Sequence, residues 1–239
     1  MKQTLKDSLY AKIENVHPAH SFLQSIMQDA TVYLFGGGVR DYLDDTLDIS
    51  RDLDFVIESK SSKLDISKYI VDCECVSYSK NRFGGYKIVF ANSLVFDVWN
   101  LEDTWAFKTN RLSMSAENLM ESVYLNIDSL VYSVTTDTYL KGCDKLYSTM
   151  KKERQIDILY DETPFEHLNL LRALVLRKKY DMLLSERLKT KFNNLYASRG
   201  HEIIELLLDL ELSHYNYPIL SEHELRVELE AVKQDLSFR

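Results

Sequence analysis

Tyr33–Glu58, YLFGGGVRDYLDDTLDISRDLDFVIE, decides how the rest of the chain is read. An apolar run from Val32 to Phe35 breaks into Gly36-Gly37-Gly38, a helix-compatible segment follows, and Asp52-Leu53-Asp54-Phe55-Val56-Ile57 has the composition of a strand. Side chains alternate along a strand, so Asp52 and Asp54 project to one side while Leu53, Phe55 and Ile57 face a core. Two carboxylates this close repel each other unless a cation neutralises them, and a hard, oxygen-preferring divalent ion such as Mg²⁺ suits them. Gly36 and Gly37 let backbone N–H groups approach an anion just before a helix N-terminus, where the helix dipole also favours negative charge. The stretch predicts a phosphate cradle followed by a metal-binding strand.

Around it the chain is that of an ordered globular protein. Only seven Gly and three Pro accompany 45% hydrophobic residues in 239 positions, enough material for one large domain or two small ones. The net charge of −8 and a pI near 5.3 give no overall attraction to nucleic acid, so any polynucleotide contact must be local. Arg172, Arg177, Lys178, Lys179, Arg187, Lys189 and Lys191 form the pronounced basic cluster, readable as a solvated helix face or as a surface for an acceptor nucleic acid. Cys73, Cys75 and Cys143 have neither zinc spacing nor an even count for a disulfide framework. No secretory signal or apolar run of membrane-spanning length appears, so a cytoplasmic location is expected and a membrane partner is not.

In chain order, apolar positions before Asp29 fall at helical spacing on either side of His17-Pro18, predicting two helices. His17 and His20 lie near that break without a companion ligand and read as structural. A helix is expected over Ser61–Val71, capped by Ser61 or Ser62, then strands at Cys73–Ser79, Tyr86–Ala91 and Leu94–Trp99. In the last of these Asp97 shares a side with Val95 and Trp99; burying such an acid is costly unless metal ligation or water compensates. Lys87 reads as a solvated lysine or a phosphate contact. Trp105 and Phe107 are readable as core or as stacking platforms for a base. A helix is expected over Glu117–Tyr132, a hairpin at Val131–Leu140, and helices over Thr163–Tyr180, Glu202–Leu212 and after Ser221, where Glu224 completes a capping box.

Gly36-Gly37-Gly38-Val39-Arg40-Asp41, followed by Asp52-x-Asp54, resembles the GGxVRD and DxD motifs of the nucleotidyltransferase superfamily, in the branch of class II CCA-adding tRNA nucleotidyltransferases and bacterial poly(A) polymerases. The connection between Asp41 and Asp52 is slightly longer than that family's. Ser122-Val123-Tyr124 stands where the family has the Arg-Arg-Asp of RRDFTINAL, and Asp128 takes the place of its asparagine. Lys141–Leu146 resembles GGxxDL. Thr163–Tyr180 resembles the helix EDPLRILRAxRF, with Phe165, Glu166 and Asn169 replacing its acidic pair and arginine, and Arg172 kept.

The resemblance implies an α+β fold with a nucleotidyltransferase head over residues 1–150, built on a small mixed sheet with flanking helices, and a truncated helical neck and body over 151–239. It implies Asp97 as the third catalytic carboxylate beside Asp52 and Asp54, all three holding two Mg²⁺ ions. Gly36, Gly37 and Arg40 are expected on the β- and γ-phosphates of a nucleoside triphosphate, Asp128 on the ribose, and Glu166, Asn169 and Arg172 at the base. The expected activity is transfer of a nucleoside monophosphate to an acceptor hydroxyl, with a tRNA-like RNA 3′ end placed first. Alternatives are a toxin- or antibiotic-modifying type acting on a protein or small molecule, and a catalytically inactive nucleotide-binding or regulatory module.

Overall fold

A computed structural model describes residues 3–47, 52–215 and 217–237, with side chains to residue 233. Residues 48–51, in the connection from Asp41 to Asp52, lie outside them, as does the side chain of Leu236. The fold is mixed α+β, in two compact units: Met1–Ser122 with Asp128–Tyr147, and Val123–Ile127 with Ser148–Arg239.

The first unit opens with α1 (Leu5–Ile13), started by a reciprocal capping box between Thr4 and Asp7, and α2 (His17–Asp29), whose first turn accommodates Pro18 because that position needs no backbone donor. β1 (Ala30–Phe35), α3 (Gly37–Leu43), β2 (Asp52–Ser59), α4 (Ile66–Val71), β3 (Ser77–Lys80), β4 (Tyr86–Val89), β5 (Val95–Asn100), α5 (Trp105–Lys108), β6 (Val131–Ser133) and β7 (Thr138–Tyr139) follow. Among the described residues the sheet order is β3-β4-β5-β2-β1-β6-β7, and every pairing is antiparallel except β2 with β5. Leu53, Phe55, Phe96 and Ile88 from three adjacent strands are fully buried, as are Leu9, Leu23 and Ile26 of the first two helices. Phe96 meets Phe55 and Phe90 edge-on at centroid distances of 4.8 and 4.9 Å, and Phe22 of α2 tilts against Phe90 and Phe96. This apolar layer occupies one face of the sheet and leaves the opposite face for Asp52, Asp54 and Asp97.

Three expectations are corrected here. The helix expected from Ser61 begins only at Ile66, because the Asp65 carboxylate accepts the Ser67 N–H and starts it there. The strand expected from Cys73 begins at Ser77. Glu117–Tyr132 is not a helix but two short 3₁₀ turns, Glu117–Glu121 and Asn126–Asp128, leading into β6. Its polar side chains divert the backbone: the hydroxyls of Ser122 and Ser129 donate to the Leu119 and Met120 carbonyls, and the Asn126 N–H and side-chain oxygen exchange hydrogen bonds with the backbone of Asp157.

α6 (Cys143–Glu153), unanticipated from the sequence, contains the division between the units. The second unit continues with β8 (Gln155–Ile156), α7 (Glu166–Tyr180), β9 (Leu183–Leu184) parallel to β8, α8 (Glu186–Arg199), α9 (Ile203–Tyr215) and α10 (Glu222–Ser237). α7 buries Leu170, Leu171, Ala173, Leu174 and Leu176. Ser221 and Glu224 form the expected reciprocal cap of α10, and buried Glu211 accepts the Leu220 N–H at 2.9 Å, satisfying its carboxylate at the preceding turn. Leu225, Leu229 and Val232 of α10 are buried at helical spacing.

Candidate active site

The acid face is set by strand register. β2 and β5 run parallel with Asp54 opposite Asp97, and Asp52 lies two residues earlier, opposite Val95. Residues directly opposite in a sheet project to the same side, so all three carboxylates share one face. Asp54 is also opposite Phe35, the last residue of β1, which brings the acids beside the glycine turn. On the same face Trp99 meets Phe35 edge-on at 6.1 Å and its indole N–H donates to Thr104 Oγ1 at 3.0 Å, walling one side.

A fourth charge lies among them. Lys87 on β4 is opposite Asp97, with Nζ 2.9 Å from Asp97 Oδ2 and 3.9 Å from Asp52 Oδ2. Partial burial alone pushes the Lys87 pKa down, but the hydrogen bond to Asp97 and the fields of Asp97, Asp52 and Asp54 outweigh it and raise it above the ordinary lysine value. The carboxylates offer the hard oxygen donors a divalent ion prefers, from adjacent strands and one side, and the cation standing among them is an ammonium. Among the described residues no group of three or more His, Cys, Asp and Glu side chains is gathered closely enough to hold a metal. The three carboxylates match Mg²⁺ in chemistry and share one face.

At the glycine turn, Gly36 takes φ +62° and ψ −117°, a conformation open to residues without a Cβ, and its N–H donates to Leu130 O at 2.7 Å. That donor, expected on phosphate, is here used between β1 and the approach to β6, and the residue contributes its conformation to the turn. A Cβ on Gly37 would lie 3.3 Å from a guanidinium nitrogen of Arg40, and one on Gly38 would meet Leu34 and Leu53 methyls at 3.1 Å. Arg40 is buried, and its Nη1 donates to Asp128 Oδ1 at 2.6 Å. Two residues expected on different parts of a nucleotide are thus joined to each other. Phe107 is buried as core, whereas Trp105 is half-buried beneath the Arg111 guanidinium.

In the second unit, Glu166 at the start of α7 accepts from Lys191 of α8 at 2.7 Å, and Lys191 also lies 2.8 Å from Asp161. Hydrogen bonds to these two acids hold the Lys191 pKa well above its usual value. Asn169 donates to Thr163 Oγ1 at 3.0 Å, and Arg172 is half-buried. Tyr124 OH is buried without a hydrogen-bond partner among the described residues, and burial pushes its pKa up to about 12. Much of the basic cluster is engaged within the fold: Arg177 with Glu228, Lys178 with Glu224, Lys189 with Glu186, and Arg187 with the Ile158 carbonyl. Sequence reading missed the neighbours of Lys87 and Lys191. The parity of β4, with Ile88 in the core, was the available signal that Lys87 faces the acids.

The fold is shared with solved structures of CCA-adding and tRNA-processing enzymes. The chain superposes on a CCA-adding enzyme in complex with CTP with a TM-score of 0.61 at 18% identity, covering 97% of this chain and 56% of that one. A Thermotoga maritima CCA-adding enzyme complexed with tRNA matches with a TM-score of 0.58 at 19% identity over 92% of this chain and 51% of its own. A tRNA-processing enzyme with CTP matches at 0.51 and 20% identity, over 84% and 55%. The chain spans about half the length of these structures. No protein-family model matches the sequence, and no curated protein does. Among the described residues no helix is long and apolar enough to cross a membrane.

Proposed function

We propose that the first unit carries a metal-dependent nucleotidyl-transfer centre, in which an acceptor hydroxyl attacks the α-phosphate of a nucleoside triphosphate and pyrophosphate leaves. The observation that carries this reading is the register of Asp54 against Asp97 on parallel strands, with Asp52 on the same face and a glycine turn alongside. Asp52, Asp54 and Asp97 are the residues that would hold divalent ions, here Mg²⁺, whose hardness matches carboxylate oxygens. When bound, such ions supply positive charge at the triphosphate and favour ionisation of the acceptor hydroxyl.

 Arg40, fixed by Asp128, places a buried guanidinium next to the glycine turn, where it can face phosphate oxygens. A carboxylate has about four lone-pair sites, so Asp128 can hold Arg40 and still accept from a ribose hydroxyl. Gly37 keeps the approach to that guanidinium open, and Trp99 with Phe35 limits water on one side of the acids.

The acceptor we favour is a tRNA-like RNA 3′ end, supported by the likeness to solved structures described with CTP and tRNA. Glu166, Asn169 and Arg172 are the proposed base contacts; a carboxylate and an amide in place of a guanidinium fork give a different base preference from that of a CCA-adding enzyme. A protein or small-molecule hydroxyl is the alternative acceptor, and a cytoplasmic setting would supply the triphosphate. The ammonium of Lys87 among the acids favours a second reading, a nucleotide-binding module without turnover. Each α-³²P-labelled NTP, incubated with the protein, Mg²⁺ and either a tRNA pool or total protein, separates these readings. Label entering RNA supports the first acceptor and label entering protein the alternative. Nucleotide binding without transfer to either pool, or to added small-molecule hydroxyls, supports the module.

A further inference from the structure

We propose that Lys87 is the resident counter-ion of the acid face, an ammonium that a divalent cation must displace in order to bind. The inference rests on the reading of Asp52, Asp54 and Asp97 as the metal-holding set. Lys87 reaches them through the backbone: β4 pairs with β5, Lys87 stands opposite Asp97, and its neighbour Ile88 is fully buried on the other face. Its Nζ contacts Asp97 at 2.9 Å and stands 3.9 Å from Asp52, so one compact charge with three donors bridges acids from two strands.

Carboxylates on neighbouring strand positions need a positive charge even when no metal is present. Lys87 supplies it from within the chain, which steadies the metal-free fold and sets a threshold against cations that bind carboxylates weakly. Its side chain is about half exposed (47%), so the four-carbon stem can carry the ammonium into water without unmaking the core. Metal loading is then an exchange of one cation for another, and removing the first should strengthen binding of the second.

The test uses the full chain without nucleotide and follows Mn²⁺ binding by electron paramagnetic resonance and calorimetry in wild type, Lys87→Met, Lys87→Arg and Lys80→Met. Far-UV circular dichroism verifies that each variant is folded. We expect Lys87→Met to bind Mn²⁺ roughly ten-fold tighter, the order expected for removing one like charge at this range near a surface. Lys87→Arg should stay near wild type because it keeps the charge, and Lys80→Met, which removes an exposed lysine from the adjacent strand, should do the same. Metal-free Lys87→Met should also melt below wild type and gain more from saturating Mn²⁺. Equal binding by wild type and Lys87→Met overturns the counter-ion role while leaving the metal site intact. Failure of every protein to bind Mn²⁺ overturns both the role and the site on which it rests.

Discussion

The acid face of the first unit and the start of α7 in the second both resemble motifs of one enzyme family, yet they are built differently. On the acid face the positions come from backbone register: Asp54 stands opposite Asp97 because β2 and β5 pair in parallel, and Asp52 follows from strand alternation. At α7 they depend on side chains with local partners, since Glu166 is bonded to Lys191 and Asn169 to Thr163. Register preserves an arrangement of charges through large sequence change. A helix-face recognition set changes with each substitution. Chemistry should therefore fail sharply when the acid face is altered, whereas changes on α7 should mainly shift which base is accepted.

The largest contrast is expected in turnover. Asp54→Asn and Asp97→Asn should each lower label transfer on the order of 10³-fold, the scale for removing a group that stabilises transition-state charge. Glu166→Gln should change total transfer far less and alter the ratio among the four NTPs; equal losses from the two regions would erase the distinction. Next in size, Gly36→Ala should destabilise the protein by about 1–3 kcal/mol in urea denaturation, because a Cβ makes the turn conformation strained. Ser221→Ala should cost about 1 kcal/mol by removing the α10 cap, without changing Mn²⁺ affinity.

The smallest effect concerns pH. The Lys178 ammonium, with the Ser221 N–H and hydroxyl, holds the Glu224 pKa at about 2, below its ordinary value of 4.5. A depressed carboxylate pKa contributes stability above the unfolded value, and that contribution is lost as pH falls from 4.5 towards 2. The melting difference between wild type and Glu224→Gln should therefore narrow over that interval. Exposure of the pair keeps the effect small.

Local patterns in the sequence carried much of this architecture. Alternation in Asp52–Ile57 identified both the shared side of the acids and the buried side of Leu53, Phe55 and Ile57. Ser221 and Glu224 marked a helix start that forms as expected. Pairing register was less accessible: a short turn joins β4 to β5, but the sequence does not say that Lys87 falls opposite Asp97, so Lys87 read as a solvated lysine or a phosphate contact when its ammonium in fact lies between two acids. Glu117–Tyr132 misled because its apolar spacing is helical, whereas Ser122, Asn126 and Ser129 direct their hydrogen bonds into turns. The partner of Glu166 was hidden for a related reason, since Lys191 comes from the next helix, α8.

Pyrophosphate release under single-turnover conditions, with Mg²⁺ and the acceptor pool that takes up label, tests the three acids most directly. The expected result is release by wild type, dependent on Mg²⁺ and acceptor, that is nearly abolished in Asp54→Asn and Asp97→Asn while their folds and melting curves persist. Release at the wild-type rate by either folded variant would contradict the assignment.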